Sequence, residues 1–177
     1  MSFLPDNYET PATSTKYLKL AKGENKFRIL AKPVIGWLDW KDNKPLRFRM
    51  NAKPEKAIDS AKPIRHFWAL YVWSYNNNAA MVLEITQATI QKAISDLSKD
   101  EDWGAPYGYD LKITKKGEDK NTEYNVTPSP KKPFDEAIFQ TLIKAPVNLE
   151  AIFDNGGDPF NVPASVVPTT IEIDPFQ

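Results

Sequence analysis

Apolar and polar positions alternate with a period of two in short runs between residues 25 and 127, and helical spacing appears in two further stretches. Residues 25–30 set Phe27 and Ile29 against Lys26 and Arg28, the pattern of a short two-faced strand. Pro33 breaks the run and residues 34–40 continue it, so a single long strand, bent or bulged near Pro33 and Gly36, is expected. Residues 44–50 alternate Leu46, Phe48 and Met50 against Arg47 and Arg49, which predicts a strand with a basic outer face. Two prolines and three lysines in residues 51–64 predict a basic loop.

The most apolar stretch follows. Residues 65–75 are rich in aromatic and β-branched side chains; Asn76, Asn77 and Asn78 then make a polar turn, and residues 79–87 alternate again, so the pair reads as a β-hairpin. Its first strand is apolar on both faces: Phe67, Ala69, Tyr71, Trp73 and Tyr75 on one, and His66, Trp68, Leu70 and Val72 with Ser74 on the other. Either both faces are covered or one aromatic row stays open to a flat ligand. Residues 86–97 place Ile90, Ile94 and Leu97 at helical spacing. Residues 109–116 and 122–127 form a second hairpin around residues 117–121, and Phe134, Ile138, Phe139 and Leu142 make one stripe of a C-terminal helix over residues 134–145. Beyond Pro146 the glycine pair Gly156 and Gly157 and several prolines predict a partly ordered extension ending in a loose tail.

Strands, helix and strands in this order match the connectivity of the OB-fold, a five-stranded Greek-key barrel that binds ligands across its strands 2 and 3. The expected fold is therefore mainly β: an OB-fold barrel with an extra strand, a helix between strands 3 and 4, and a C-terminal helix. Residues 1–24 are expected as a flexible arm with an ordered patch at residues 17–20, residues 25–145 as the binding domain, and residues 146–177 as an acidic extension.

Composition narrows the chemistry. The 177 residues hold no cysteine and one histidine, which removes thiol nucleophiles, disulfides and the usual zinc ligand sets. No apolar run approaches the roughly 20 residues of a membrane-spanning helix, and the N-terminus lacks the basic and apolar regions of a secretion signal. The formal net charge is zero, but it is unevenly spread. All 23 Lys and Arg lie at or before Lys144, while five of the 23 acids, Glu150, Asp154, Asp158, Glu172 and Asp174, follow it, leaving the first 144 residues at +5. Residues 41–65 hold eight of those cations against three acids. A basic segment with an acidic tail points to a polyanionic partner.

The succession Asn25-Lys-Phe-Arg-Ile-Leu30, Gly36-Trp37, Lys44-Pro-Leu-Arg-Phe48, His66-Phe-Trp-Ala-Leu70, Val72-Trp73, Glu84-Ile-Thr-Gln-Ala-Thr-Ile90, Asp102-Trp-Gly104 and Tyr109-Asp110 resembles the single-stranded DNA-binding proteins of tailed bacteriophages over about residues 24–130. The resemblance implies a non-enzymatic protein of the host-cell cytoplasm that protects single-stranded DNA in phage replication, recombination and repair. Ile173-Asp-Pro-Phe176 separately resembles the acidic Pro-Phe tip with which bacterial single-stranded DNA-binding proteins dock replication and repair partners. Here Gln177 follows the phenylalanine, and only Glu172 and Asp174 lie nearby.

The candidate DNA contacts are the aromatics Trp37, Tyr71, Trp73 and Tyr75 and the cations Lys44, Arg47, Arg49, Lys53, Lys56, Lys62, Arg65, Lys112 and Lys116. The row Tyr71, Trp73, Tyr75 is taken as the open face and Trp68, Leu70, Val72 as core, with Trp103 a plug over the barrel end. Arg suits both phosphate pairing and base stacking, which singles out Arg47 and Arg49. The partner-binding tail is Glu172, Ile173, Asp174, Pro175 and Phe176. No catalytic constellation, metal site or cofactor motif is read; His66 is a polar strand residue. Two other functions fit the same pattern: an RNA-binding barrel, and a protein-interaction or virion-assembly module whose aromatic row is a subunit interface.

Overall fold

Period-two patterning becomes seven strands in the computed structural model, which describes residues 16–154 and 157–176: β1 Gly23–Ile29, β2 Val34–Lys41, β3 Lys44–Arg49, β4 Arg65–Ser74, β5 Ala79–Ile85, β6 Leu111–Lys116 and β7 Glu123–Pro128. The two stretches of helical spacing become α1 Ala88–Lys99 and α2 Glu136–Lys144. The expected arm up to residue 15, Gly156 and the terminal Gln177 lie outside the described residues.

All seven strands join one antiparallel sheet in the order β3-β2-β4-β1-β6-β7, with β5 on β4. The expected long first strand is divided in two, with the break next to Pro33 and Gly36 inside the second piece. Both β1 and β2 pair with β4 along the edge opposite β5. Ile29 opposes Val72 and Val34 opposes Ala69, so five steps along β1–β2 match three along β4. The surplus is taken up around Pro33, which has no N–H to give to a ladder. Asp42 and Asn43, both at positive φ, turn β2 into β3, the conformation a tight two-residue hairpin requires.

Each face of β4 carries its own core. On one side Leu70 and Val72 pack with Phe27, Ile29, Leu83, Ile85, Leu111 and Ile113, and α1 closes this side with Ile90 and Ile94. The segment after residue 15 joins the same core: Leu18 donates its N–H to Val82 at 2.8 Å, and Leu18 and Leu20 pack inward. Trp103 lies half-buried, tilted edge-on to Tyr109 at 5.2 Å. On the other side Phe67, Ala69, Tyr71 and Trp73 pack with Phe134, Leu142, Val147, Leu149, Ile152 and Ile173. Close approach fixes Gly36 on this side: a Cβ there would lie 2.2 Å from the carbonyl oxygen of Phe48 and about 3 Å from the rings of Phe67 and Phe153.

The expected loose extension is thus a packed cover. Among the described residues beyond α2 the one helical element is a 3₁₀ turn at Leu149–Phe153, yet Val147, Leu149, Ala151, Ile152 and Ile173 are buried. Even the tail is strapped down: Glu172 donates its N–H to Leu30 at 2.8 Å, and Ile171 bridges Ala31. Among the described residues, no helix is long and apolar enough to cross a membrane.

Candidate nucleic-acid interface

The two-sided apolar strand β4 resolves against the expectation for its open face. Tyr71 is 2 % exposed and Trp73 9 % exposed, because the cover lies on their row. Phe160 meets Tyr71 edge-on at 6.3 Å, and burial pushes the Tyr71 hydroxyl up to about 12. The row therefore is not an open stacking floor in this structure. Between β4–β5 and the cover there remains a groove of about 800 Å³, whose lining includes Lys16, Tyr71, Trp73, Asn77, Phe160 and Asn161.

Tyr75, at the end of the row, stays half-exposed. Its hydroxyl donates to Oδ1 of Asp110 at 2.9 Å, and burial together with that bond raises its pKa. Lys26 Nζ stands 5.3 Å and Lys132 Nζ 5.9 Å from its ring centroid. Asp110 itself is sealed from solvent and receives Arg28 Nε at 2.7 Å. Its second oxygen, Oδ2, lies 3.3 Å from Lys132 and 3.8 Å from Lys26, yet no donor is aligned on it for a hydrogen bond. Those contacts are ion pairs by distance only, so both lysines keep freedom to reorient.

Trp37 lies on the other side of the sheet. It opposes His66, which shares a face with Trp68, Leu70 and Val72, so Trp37 does not extend the Tyr71–Tyr75 row. Its indole Nε1 donates to the Met50 carbonyl at 3.2 Å, Lys53 Nζ stands 4.3 Å over its ring, and the His66 ring is 5.1 Å away. The face here is incompletely covered, with Ile35 at 41 % and Met50 at 44 % exposed. Trp40 takes the opposite side of β2, capped at 5.4 Å by Lys62, whose ammonium also donates to Asn43 at 2.6 Å. The basic loop folds back toward β2 as well: the Ile58 N–H points at the buried Asp39 carboxylate at 3.3 Å.

Arg47 and Arg49 do project from one face of β3, but each meets an acid. Arg47 makes a bidentate pair with Glu84, Nε to Oε1 at 2.7 Å and Nη2 to Oε2 at 2.9 Å. Burial acts to lower the Arg47 pKa, and the Glu84 bonds outweigh it, so the net shift is upward. Arg49 pairs with Glu150 of the cover while its guanidinium lies 4.5 Å over the Phe153 ring. Lys44, Lys53, Lys56, Arg65 and Lys116 are exposed, and Lys112 is half-buried 3.8 Å from Glu24. In the tail, Ile173 is 4 % exposed and Glu172 reaches Lys32 at 4.0 Å, so Phe176, at 74 %, is the accessible apolar group of the expected tip.

Lys16, Lys26, Lys132, Phe153 and Phe160 stand against the expected residues without having been among them. Lys26 was legible as the polar partner of Phe27 in an alternating strand; Lys132 sits in a proline-rich connection whose path no local pattern fixes. No family model, curated protein or solved structure matches this chain.

Proposed function

We propose that this protein binds single-stranded DNA with little regard to sequence, acting by binding rather than by catalysis in phage replication, recombination or repair. One observation carries the reading: Trp37, Trp40 and Tyr75, all half-exposed, each hold a lysine ammonium between 4.3 and 5.9 Å from the ring centroid. Such a pair places a stacking surface and a phosphate counter-charge within the span of one nucleotide. The lysine is a placeholder there. A cation on an exposed ring is worth about 0.5–1 kcal/mol, whereas a stacked base is worth about 1–3 kcal/mol, so a strand displaces the lysine from the ring to its own phosphate. A duplex keeps its bases stacked inside and cannot make the exchange.

The topology supports an OB-type domain. End-to-end β1 and β2 act as one bent strand along β4, the β4–β5 hairpin follows, α1 intervenes, and β6–β7 completes the set with β3 as an addition. Residues 41–65 capture the phosphate chain and the rings then take bases. The cover opposes binding, since Glu150 occupies Arg49 and Glu172 lies beside Lys32. Once released, the tail with Asp174, Pro175 and Phe176 is free for phage or host replication proteins.

Titration of intrinsic tryptophan fluorescence with oligo-dT, duplex DNA and single-stranded RNA at two salt concentrations tests this. The expected result is strong quenching by oligo-dT at low salt, reduced at high salt, and little change with duplex. Absence of quenching by oligo-dT at low salt overturns the reading, and equal or tighter binding of RNA reassigns the partner.

A further inference from the structure

We propose that Tyr75, Lys26 and Lys132 form a subsite for one nucleotide, its base on the Tyr75 ring and its phosphate between the two ammonium groups. This rests on the single-strand reading above and fixes one point on the strand's path. Three facts converge on the site. Tyr75 alone of the Tyr71–Tyr75 row is half-exposed, and its hydroxyl bond to the buried Asp110 anchors the far end of the ring.

Charge is the second. Asp110 already has a close counter-ion in Arg28, also sealed from solvent at 1 % exposed, whose remaining nitrogens are spent on the Tyr107 carbonyl at 3.1 Å and the Lys132 carbonyl at 3.2 Å. Lys26 and Lys132 are therefore surplus cations around a carboxylate whose single charge one guanidinium already balances. Asp135, the other acid acting on Tyr75, is engaged as the N-cap of α2 by the Ile138 N–H at 3.0 Å.

Freedom to move is the third. Lys26 and Lys132 are 32 % and 52 % exposed and have no hydrogen bond to Asp110, so turning toward a phosphate breaks no aligned bond. The two lysines come from β1 and from the connection between β7 and α2, and both reach the Tyr75 ring just past the end of β4. A mononucleotide and an internal unit of a strand present the same base and phosphate, and the experiment separates them.

Binding of oligo-dT and of thymidine 5′-monophosphate is measured for the full chain and for three variants, Lys26→Gln/Lys132→Gln, Tyr75→Leu and Tyr75→Phe, with near-ultraviolet circular dichroism as the check of folding. Losing one phosphate contact should lower the slope of log affinity against log salt for oligo-dT by about 0.7 in the double lysine variant. Tyr75→Leu should weaken oligo-dT binding by about fivefold to a hundredfold with the slope kept, and Tyr75→Phe, which keeps the ring, should bind within about threefold of the parent. If the parent binds oligo-dT while the lysine variant keeps its slope and Tyr75→Leu keeps its affinity, the subsite is overturned and the single-strand reading stands. If the parent binds the monophosphate through these residues but not oligo-dT, the subsite holds for a free nucleotide and the single-strand reading falls. Binding of neither overturns both.

Discussion

Arg28 on β1 donates from Nε to Oδ1 of Asp110 at 2.7 Å, across 82 positions of sequence, with both side chains closed to solvent. The pair ties β1 to the chain entering β6, and the guanidinium reaches on to two backbone carbonyls. Breaking such a pair from one side leaves the other charge buried without compensation, which costs about 3–5 kcal/mol. Asp110→Ala should therefore lower the free energy of unfolding by that amount in a denaturant titration. Replacing both with apolar residues, Arg28→Met with Asp110→Leu, should cost less than the single change. A single variant within about 0.5 kcal/mol of the parent would show the pair to be structurally idle.

Much of this architecture was legible because each half-buried strand writes a period of two into the chain. The hairpin β4–β5, α1, the hairpin β6–β7 and α2 all fall within two residues or so of their expected bounds. Parity even places Trp37: it is in step with Phe27 and Ile29, and the two-residue offset near Pro33 preserves that, so Trp37 belongs to the Leu70–Val72 side. What stayed hidden was the cover. A strand apolar on both faces declares that something covers each face or uses it, but not which. The covering side chains, Val147, Leu149, Ile152 and Ile173, come from a segment too broken by proline to show any period. The commitments of Arg47 to Glu84 and Arg49 to Glu150 were equally invisible, since each depends on a tertiary contact 37 or 101 residues away.

Alkaline pH should loosen the fold through its buried tyrosines. Burial pushes Tyr71 up to about 12; burial, aided by Asp100, does the same to Tyr109. Both pKa values are raised in the folded state, so the folded protein holds its phenolic protons more tightly than the unfolded chain. Their stabilising contribution is then complete below about pH 10 and is lost as pH rises from there through about 12. Each tyrosine should steepen the fall by up to roughly 1.4 kcal/mol per pH unit. Denaturant titrations across this range should show declining stability, with Tyr71→Phe flattening the decline. Identical slopes for parent and variant would mean that Tyr71 ionises in the folded protein as freely as in water.

Removing the whole C-terminal segment would not isolate its acidic groups, because the same residues that carry charge carry Leu149, Ile152 and Ile173 into the core. The charge is separable at Glu150 and Glu172. Glu150 pairs with Arg49 where both side chains are about half exposed, and Glu172 lies 4.0 Å from Lys32. Surface pairs of this kind contribute about 0–1 kcal/mol to stability, so Glu150→Gln with Glu172→Gln should leave the unfolding midpoint nearly unchanged. If these acids hold cations that a phosphate chain would otherwise use, the double variant should bind oligo-dT several-fold more tightly at low salt. Freeing Arg49 and Lys32 adds up to two phosphate contacts, so its salt slope should steepen by as much as about 1.4, and the two proteins should converge as salt rises. Equal affinity at low salt would detach the cover's charge from binding and leave it a packing element alone.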